Sequence, residues 1–373
     1  MKLEGLKVID LSVFLPGPYL TMALADHGAE VIKVEPPGEG DPGRHIGVSD
    51  GPSTVFFRNV NRGKKSVVID LKTADGRESL LKLCDEADVF VESYRPGVMQ
   101  RLGIDYATVA TRNPRIVYCS ISAFGQDGPY RERPAHDLAT MALSGGLGIT
   151  LGQDGAPAMP GVAVADMLSA LQGLSGVLMA LLRRQKTGLG DYIDIAMQHA
   201  ALAALPNVMG AAMSGQPQPN AKHERSTGGS AFYQIYETSD GRHLVLGAQE
   251  LKFVRNLLDR LGRSDLVALC EQGPGAHQAP AIDFLRGVFR DKPLEHWHAW
   301  FAGMDVSFAP VNTLREALDD ANVRARGLIL KDELGREHIA PVIRFLHESA
   351  EPFLKEPALG EHNPLLASNQ RDT

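Results

Sequence analysis

Among the side chains of the types that move protons near neutral pH, three stand out by their place in the sequence: His136, Asp166 and Glu250. His136 lies between a loop, FGQDGPYRERP, and a glycine-rich segment, SGGLGITLGQDGAPAMPG. A neutral imidazole is the natural acceptor for a carbon-bound proton at such a pH, and ligand sites in open α/β sheets gather where strands end in loops. Asp166 stands near the start of a long apolar run. A carboxylate near a helix N-terminus has its charged form favoured, which suits a base or a nucleophile. Glu250 follows an apolar strand, HLVLGAQ. Each residue also has a plainer meaning. His136 is one of twelve histidines and reads as a loop residue bonded to nearby backbone. Asp166 reads as a helix cap, and Glu250 as the surface end of its strand. The apolar neighbours Val162, Val164 and Met167 favour a desolvated, functional carboxylate at Asp166.

The elements that must hold these groups follow from composition and pattern. A chain of 373 residues is longer than one hydrophobic core usually supports, which predicts two domains. Hydrophobic and charged contents of 44% and 22% are those of a globular chain. The formal net charge is -7, from 38 Lys and Arg against 45 Asp and Glu, which argues against a nucleic-acid partner. Cys84, Cys119 and Cys270 match no metal or disulfide spacing; they predict structural thiols in a reducing, cytoplasmic compartment, and no metal is expected. The N-terminus, MKLEGLKVIDLS, reads as a strand and not as a signal peptide. The most apolar segment, residues 162–182, contains Asp166, Gln172 and several small residues, so a buried helix is expected there and no membrane span.

Residues 6–11 (LKVIDL) form a short apolar strand. After a break at Pro16-Gly17-Pro18, Leu20, Met22, Ala23 and Leu24 open a helix that Gly28 ends, and 31–34 make a second strand. This is a βαβ unit; its turn is not GxGxxG, which gives dinucleotide binding little support. A Pro-, Gly- and Asp-rich surface loop at 36–52 and a basic turn and strand at 61–72 follow. Then come a helix at 75–86, strands at 87–93 and 115–121, and a turn with a short helix at 93–103. The alternation predicts an α/β fold: an open, Rossmann-like parallel sheet with helices on both faces.

Residues 164–184 carry Met167, Leu168, Leu171, Leu174, Val177, Leu178, Leu181 and Leu182 at helical spacing. A strand at 192–195 and a helix at 197–205 come next. Composition then changes: residues 214–230 are polar and turn-rich, a linker. Beyond it, FYQIYETSDGRHLVLGA reads as two antiparallel strands turning at Ser239-Asp240-Gly241. Helices at 251–261, 282–289 and 293–301 make this a small α+β domain. Ala309 to Val311 is expected to open a helix that includes 314–320, and two strand-like pieces follow Gly327. Arg62, Lys64 and Lys65, with Arg95 and Arg101, form a basic group that could bind phosphates, although solvated surface charge is the commoner meaning and no P-loop is present.

At PAHDL and GVAVADM the chain resembles the class III CoA-transferase (CaiB/BaiF) superfamily. The likeness runs through LSVFLPGPYLTMALADHGAEVIKVE, NRGKKSVVIDLK, ESYRPGVMQRLG, NPRIVYCSISAFGQDGPY, KTGLGDYIDIAM and DVSFAPVNTLREAL. Within the superfamily it is most similar to the α-methylacyl-CoA racemases. Their GHD histidine matches His136, here in AHD; their aspartate matches Asp166; and their GAxE glutamate matches Glu250 in GAQE. Three positions depart from that branch: Pro36 and Pro37 stand where an arginine is usual, Thr227 where an aspartate is, and Ala135 where a glycine is.

The resemblance implies a racemase that interconverts the 2R and 2S epimers of 2-methylacyl-CoA thioesters through an enolate. His136, oriented by Glu250, would work on one face of the α-carbon and Asp166 on the other. Backbone N–H groups near Asp137 or Asp166 would hold the enolate oxygen. The alternative is an acyl-CoA:carboxylate CoA-transferase with Asp166 as nucleophile and His136 a bystander; a non-catalytic acyl-CoA-binding protein comes third. Coenzyme A enters as part of the substrate, along Ile69, Asp70, Leu71 and Lys72 and along Ser93, Tyr94 and Arg95. Arg101 is expected near its phosphates, and Ala135 and Asp137 near the thioester. The implied fold is a large domain built from both chain ends and a small domain, in an interlocked homodimer. That makes 1–213 the first part of the large domain, 231–308 the small one and 309–373 the return.

Overall fold

The structure, a computed structural model, describes residues 1–368 apart from Gln153 and Pro219. Pro219 of the expected linker and residues 369–373 of the expected return segment lie outside the described residues. The chain divides into two compact units: Met1–Ser144 with Pro160–Ala204 and Ala321–Thr373, and Gly145–Met159 with Leu205–Asp320. These bounds differ from the expected ones at four places. Residues 145–159 and 205–213 belong to the second unit, the expected linker at 214–230 falls within that unit and does not separate two, and the return begins at Ala321 because the residues before it stay with a sheet of the second unit.

The first unit is wound as the alternation predicts. It opens with β1 (Lys7–Asp10), α1 (Pro16–Asp26), β2 (Glu30–Glu35), α2 (Val55–Asn61) and β3 (Lys65–Val68). It continues with α3 (Ala74–Asp85), β4 (Val89–Glu92), α4 (Val98–Leu102), α5 (Tyr106–Arg112), β5 (Val117–Ser122) and α6 (Asp137–Leu143). The chain passes through α7 (Gly146–Ile149) of the second unit and returns with α8 (Val164–Thr187), β6 (Asp191–Ala196) and α9 (Met197–Ala203). The six strands form one parallel sheet in the order β3-β2-β1-β4-β5-β6. Strands covered on both faces read as continuous apolar runs, and β4 and β5 are buried at every position. The order reverses between β1 and β4.

Two local features differ from expectation for clear physical reasons. Pro16-Gly17-Pro18 does not precede α1 but begins it: Pro at the first helical position has its φ pre-set and lacks an N–H that would go unpaired. A Cβ on Gly17 would lie 2.2 Å from the Cβ of Ser12, so glycine there lets the segment after β1 fold against the helix start. The pattern also does not predict α2, which Thr54 caps by accepting the N–H of Phe57.

The apolar helix α8 is buried along one stripe only. Ala165, Ser169, Ala170, Gly173, Val177, Leu181 and Arg184 are the buried residues. They are mostly small because the approach is close: a Cβ on Gly173 would fall 2.7 Å from Leu20 Cδ1. The leucine-rich face that marks the helix in the sequence is turned outward, with Leu171, Leu178, Met179 and Leu182 exposed. By length and composition α8 is apolar enough to cross a membrane; here its stripe lies on the sheet, and Arg184 near its end bonds Asp88 at 2.7 Å.

In the second unit, β7 (Tyr233–Glu237), β8 (His243–Gly247) and β9 (Phe308–Pro310) form an antiparallel sheet in that order. Helices Leu251–Arg260, Ala279–Phe289 and Leu294–Phe301 pack with it around Phe232, Tyr236, Leu257, Phe289 and Trp297. The helix expected to open at Ala309 is instead strand β9, paired with Leu244–Leu246 of β8; the helix starts at Leu314. Pro310 has no N–H to donate and is tolerated because β9 is an edge strand. The return segment adds a hairpin to the first unit, β10 (Ile329–Lys331) with β11 (Glu337–Ile339).

Candidate active site

In a sheet of this order, ligands bind outside the carboxyl ends of the strands where the order reverses. A cavity of about 210 Å³ lies there. Val13, Phe14 and Pro16 after β1, Ser93 to Pro96 after β4 and Ile121 to Phe124 at the end of β5 line it, with Arg131, Arg133, Ala135, His136, Asp166 and Met197. The structure therefore brings His136 and Asp166 to one cavity, together with Ser93, Tyr94, Arg95 and Ala135 of the expected binding set.

His136 occupies the position before α6 with an extended backbone, and its carbonyl accepts the N–H groups of Ala139 and Thr140. Its side chain is exposed and caps nothing. Within this unit, among the described residues, no hydrogen bond to the imidazole is found; its ring contact is with Phe14, edge to face at 6.1 Å between centroids.

Asp166 is the third residue of α8, and it is not the cap. That task falls to Asp137, whose Oδ1 accepts the N–H groups of Ala165 at 2.7 Å and Asp166 at 3.1 Å. The carboxylate of Asp137 is thus turned to the helix, and Asp137 is not among the residues that line the cavity. The Asp166 N–H is also spent on this bond, so the expected oxyanion donor there is not free. Of the two backbone positions, the start of α6 keeps N–H groups that its helix cannot pair. The Asp166 carboxylate makes no hydrogen bond among the described residues. Burial pushes its pKa up to about 7, and the charge of Asp137 adds to the effect. The helix N-terminus was expected to favour the charged form; desolvation outweighs it.

A second cavity of about 290 Å³ is lined by Ile69, Asp70, Leu71 and Lys72 with Leu11, Val34, Glu35, Pro36, Pro37, Tyr94 and Leu102. Tyr94 borders both cavities, so the two expected binding segments adjoin. Arg101 is exposed on α4, its Nη1 3.4 Å from where a Cβ of Gly97 would lie. The other basic candidates do not face a ligand. Arg62 is buried against Asp26 at 2.6 Å, Lys64 against Asp10 at 2.8 Å, and Lys65 pairs with Glu30. They hold the fold, and the phosphate reading of that basic turn does not stand. Arg131 and Arg133 line the first cavity instead; their signal was the RERP of a loop following a strand.

Glu250 belongs to the second unit, where it is exposed and precedes helix Leu251–Arg260 without making a capping bond. The strand before it ends at Gly247, so Glu250 begins a helix and does not end a strand. Among the described residues no group of three or more His, Cys, Asp or Glu side chains could hold a metal ion.

Known proteins resemble the chain along nearly its whole length. The human succinyl-CoA:glutarate CoA-transferase is 33% identical over 96% of this chain and 84% of its own. The human alpha-methylacyl-CoA racemase is 33% identical over 97% of this chain and 91% of its own. The crystal structure of a CAIB/BAIF family protein from Brucella suis superposes with a TM-score of 0.84 at 31% identity, covering 98% of both chains. The sequence matches CoA-transferase family III over residues 3–363, and the chain is a member of that enzyme family.

Proposed function

We propose that this family member is a racemase of 2-methylacyl-CoA thioesters. The observation that carries the reading is that His136 and Asp166 line one cavity while burial brings Asp166 to a pKa of about 7. A carboxyl near that value exists in both protonation states at neutral pH, as a group that must give and take protons requires. A transferase needs only the carboxylate nucleophile.

In one direction the α-C–H bond breaks and its proton passes to the neutral imidazole of His136. The electron pair moves into the thioester, forming an enolate. The protonated Asp166 then delivers its proton to the other face of the carbon, and the opposite epimer results. In the reverse direction ionised Asp166 is the base and the imidazolium the acid. Donors at the start of α6 hold the enolate oxygen. The CoA portion runs past Tyr94 toward Ile69 to Lys72. Glu250 enters as the third acid–base group implied by the resemblance, and Glu250→Gln tests it in the assay below. The same proposal includes a homodimer and a cytoplasmic location.

The test is incubation of a chiral 2-methylacyl-CoA in deuterated water without any carboxylate acceptor. Deuterium at the α-carbon with loss of chirality is the expected result, and His136→Ala should slow it by about 100-fold or more. Loss of chirality at the native rate in that variant overturns the assignment. A second reading, CoA transfer through an aspartyl anhydride at Asp166, is favoured by the likeness to the succinyl-CoA:glutarate enzyme. It requires the opposite result: no exchange, and CoA moving to an added carboxylic acid.

A further inference from the structure

Phe14 is the single residue other than glycine with a positive φ among the described residues, at 62°. A bulky L-residue in that region is strained, and such strain persists only where the surroundings over-determine it. Here they do. The carbonyl of Ser12 accepts the buried Lys33 Nζ at 3.0 Å, and the N–H of Ser12 is held by Asp10 at 3.0 Å. The N–H of Val13 donates to Ser93 Oγ at 3.1 Å, and that of Phe14 points to Asp41 Oδ1 at 3.5 Å. Lys33 in turn pairs with Asp41 at 2.7 Å and Asp10 with Lys64, all four side chains buried. Buried charges and the Ser93 hydroxyl thus fix three consecutive residues, and the product is a phenyl ring on the cavity wall.

That ring meets the imidazole of His136 edge to face, 6.1 Å between centroids and 86° between planes. Within this unit the imidazole has no hydrogen-bond partner among the described residues, and its ring contact is with Phe14. We propose that Phe14 is a positioning residue for proton transfer: the strained turn after β1 aims its ring so that the imidazole of His136 faces the α-carbon. The inference rests on the reading of His136 as an acid–base group.

Phe14→Gly relieves the backbone and removes the ring, and Phe14→Tyr keeps the ring. Each variant, with His136→Ala alongside, is given the 2R and the 2S thioester separately in deuterated water, and the initial uptake of deuterium with retained configuration is measured. Each epimer loses its proton to one group only, so a fault at His136 slows one epimer and spares the other. Phe14→Gly is expected to slow the same epimer as His136→Ala, by roughly 100-fold, the scale of a misplaced catalytic group, while Phe14→Tyr stays near native. A wall with no bearing on the imidazole would slow both epimers alike or neither, and either result overturns the proposal while leaving His136 in place. If His136→Ala itself shows no loss, the proton-transfer reading fails and the role of Phe14 with it. Should Phe14→Gly lose its native circular dichroism, Phe14→Leu replaces it in the same comparison.

Discussion

Asp137 caps the helix that carries Asp166, its Oδ1 accepting the N–H groups of Ala165 at 2.7 Å and of Asp166 at 3.1 Å. One carboxylate therefore does two things to the other. It fixes the turn on which Asp166 is displayed, and its negative charge adds to the burial that lifts Asp166 to about 7.

Asparagine at position 137 separates the two effects, because it keeps an acceptor oxygen and drops the charge. In Asp137→Asn the limb of the pH–rate profile that follows Asp166 should move to lower pH, by about half a pH unit to one pH unit. It stays above the ordinary carboxylate range because burial, the larger cause, is unchanged. Asp137→Ala loses the acceptor as well and should cost about 1 kcal/mol of stability. Exchange of the α-proton across the neutral range checks the first, and urea unfolding the second; an unmoved limb would show that the charge of Asp137 does not reach Asp166.

Asp166 binds its proton more tightly in the folded chain than in the unfolded one. Its contribution to stability is full below the ordinary aspartate pKa of 3.8 and is lost as the pH rises through about 7. Asp166→Asn should therefore abolish racemisation yet stabilise the protein at alkaline pH, on the order of 1–3 kcal/mol for a group that keeps some contact with solvent. The gain should vanish in acid. Paired thermal melts of the two proteins at both pH values decide it, and a variant less stable at alkaline pH would contradict the buried, uncompensated carboxylate.

The parallel sheet was legible because most of its strands are short apolar runs between a turn and a helix, and His136 and Asp166 stood out as candidates because they flank a glycine-rich stretch. What the sequence does not display is the partner of a charge. Arg62 and Lys64 looked like a phosphate-binding turn, yet Asp26 and Asp10, which neutralise them, lie far off in the chain. In the same way the periodic leucines of α8 marked the helix but not its buried face, since close approach to α1 and β5 selects Ala, Ser and Gly. The role of Phe14 had no signal at all: a positive φ in a residue with a side chain is imposed by distant contacts, not by its own type.

Arg95 lines the cavity of His136 and Asp166, and Arg101 is exposed on the neighbouring helix α4. If they hold the phosphates of CoA, Arg95→Ala and Arg101→Ala should each raise KM for the acyl-CoA about fivefold to tenfold, with kcat little changed and the effect shrinking in high salt. Lys65→Ala is the control, since Lys65 pairs with Glu30 at the surface and should leave KM as it is. Steady-state kinetics at two ionic strengths read all three; a KM unmoved in both arginine variants would place the phosphates elsewhere.

Lys64 and Asp10 form a fully buried pair at 2.8 Å. Burial alone would push the Asp10 carboxyl up, but the charges of Lys64 and then Lys33 outweigh it and hold it well below the usual carboxylate range. Its contribution to stability is therefore present above the ordinary aspartate pKa and lost only as the pH falls toward its own. Lys64→Met leaves that charge buried with half its compensation gone, which should destabilise the protein by about 3–5 kcal/mol. Adding Asp10→Asn removes the stranded charge and should recover most of the loss. Because Asp10 also holds the N–H of Ser12, two residues before Phe14, the single variant should lose α-proton exchange ahead of its global unfolding. Urea titrations followed by circular dichroism and by exchange should then give separate midpoints, whereas coincident midpoints would mean that the buried pair supports the fold without bearing on the turn that carries Phe14.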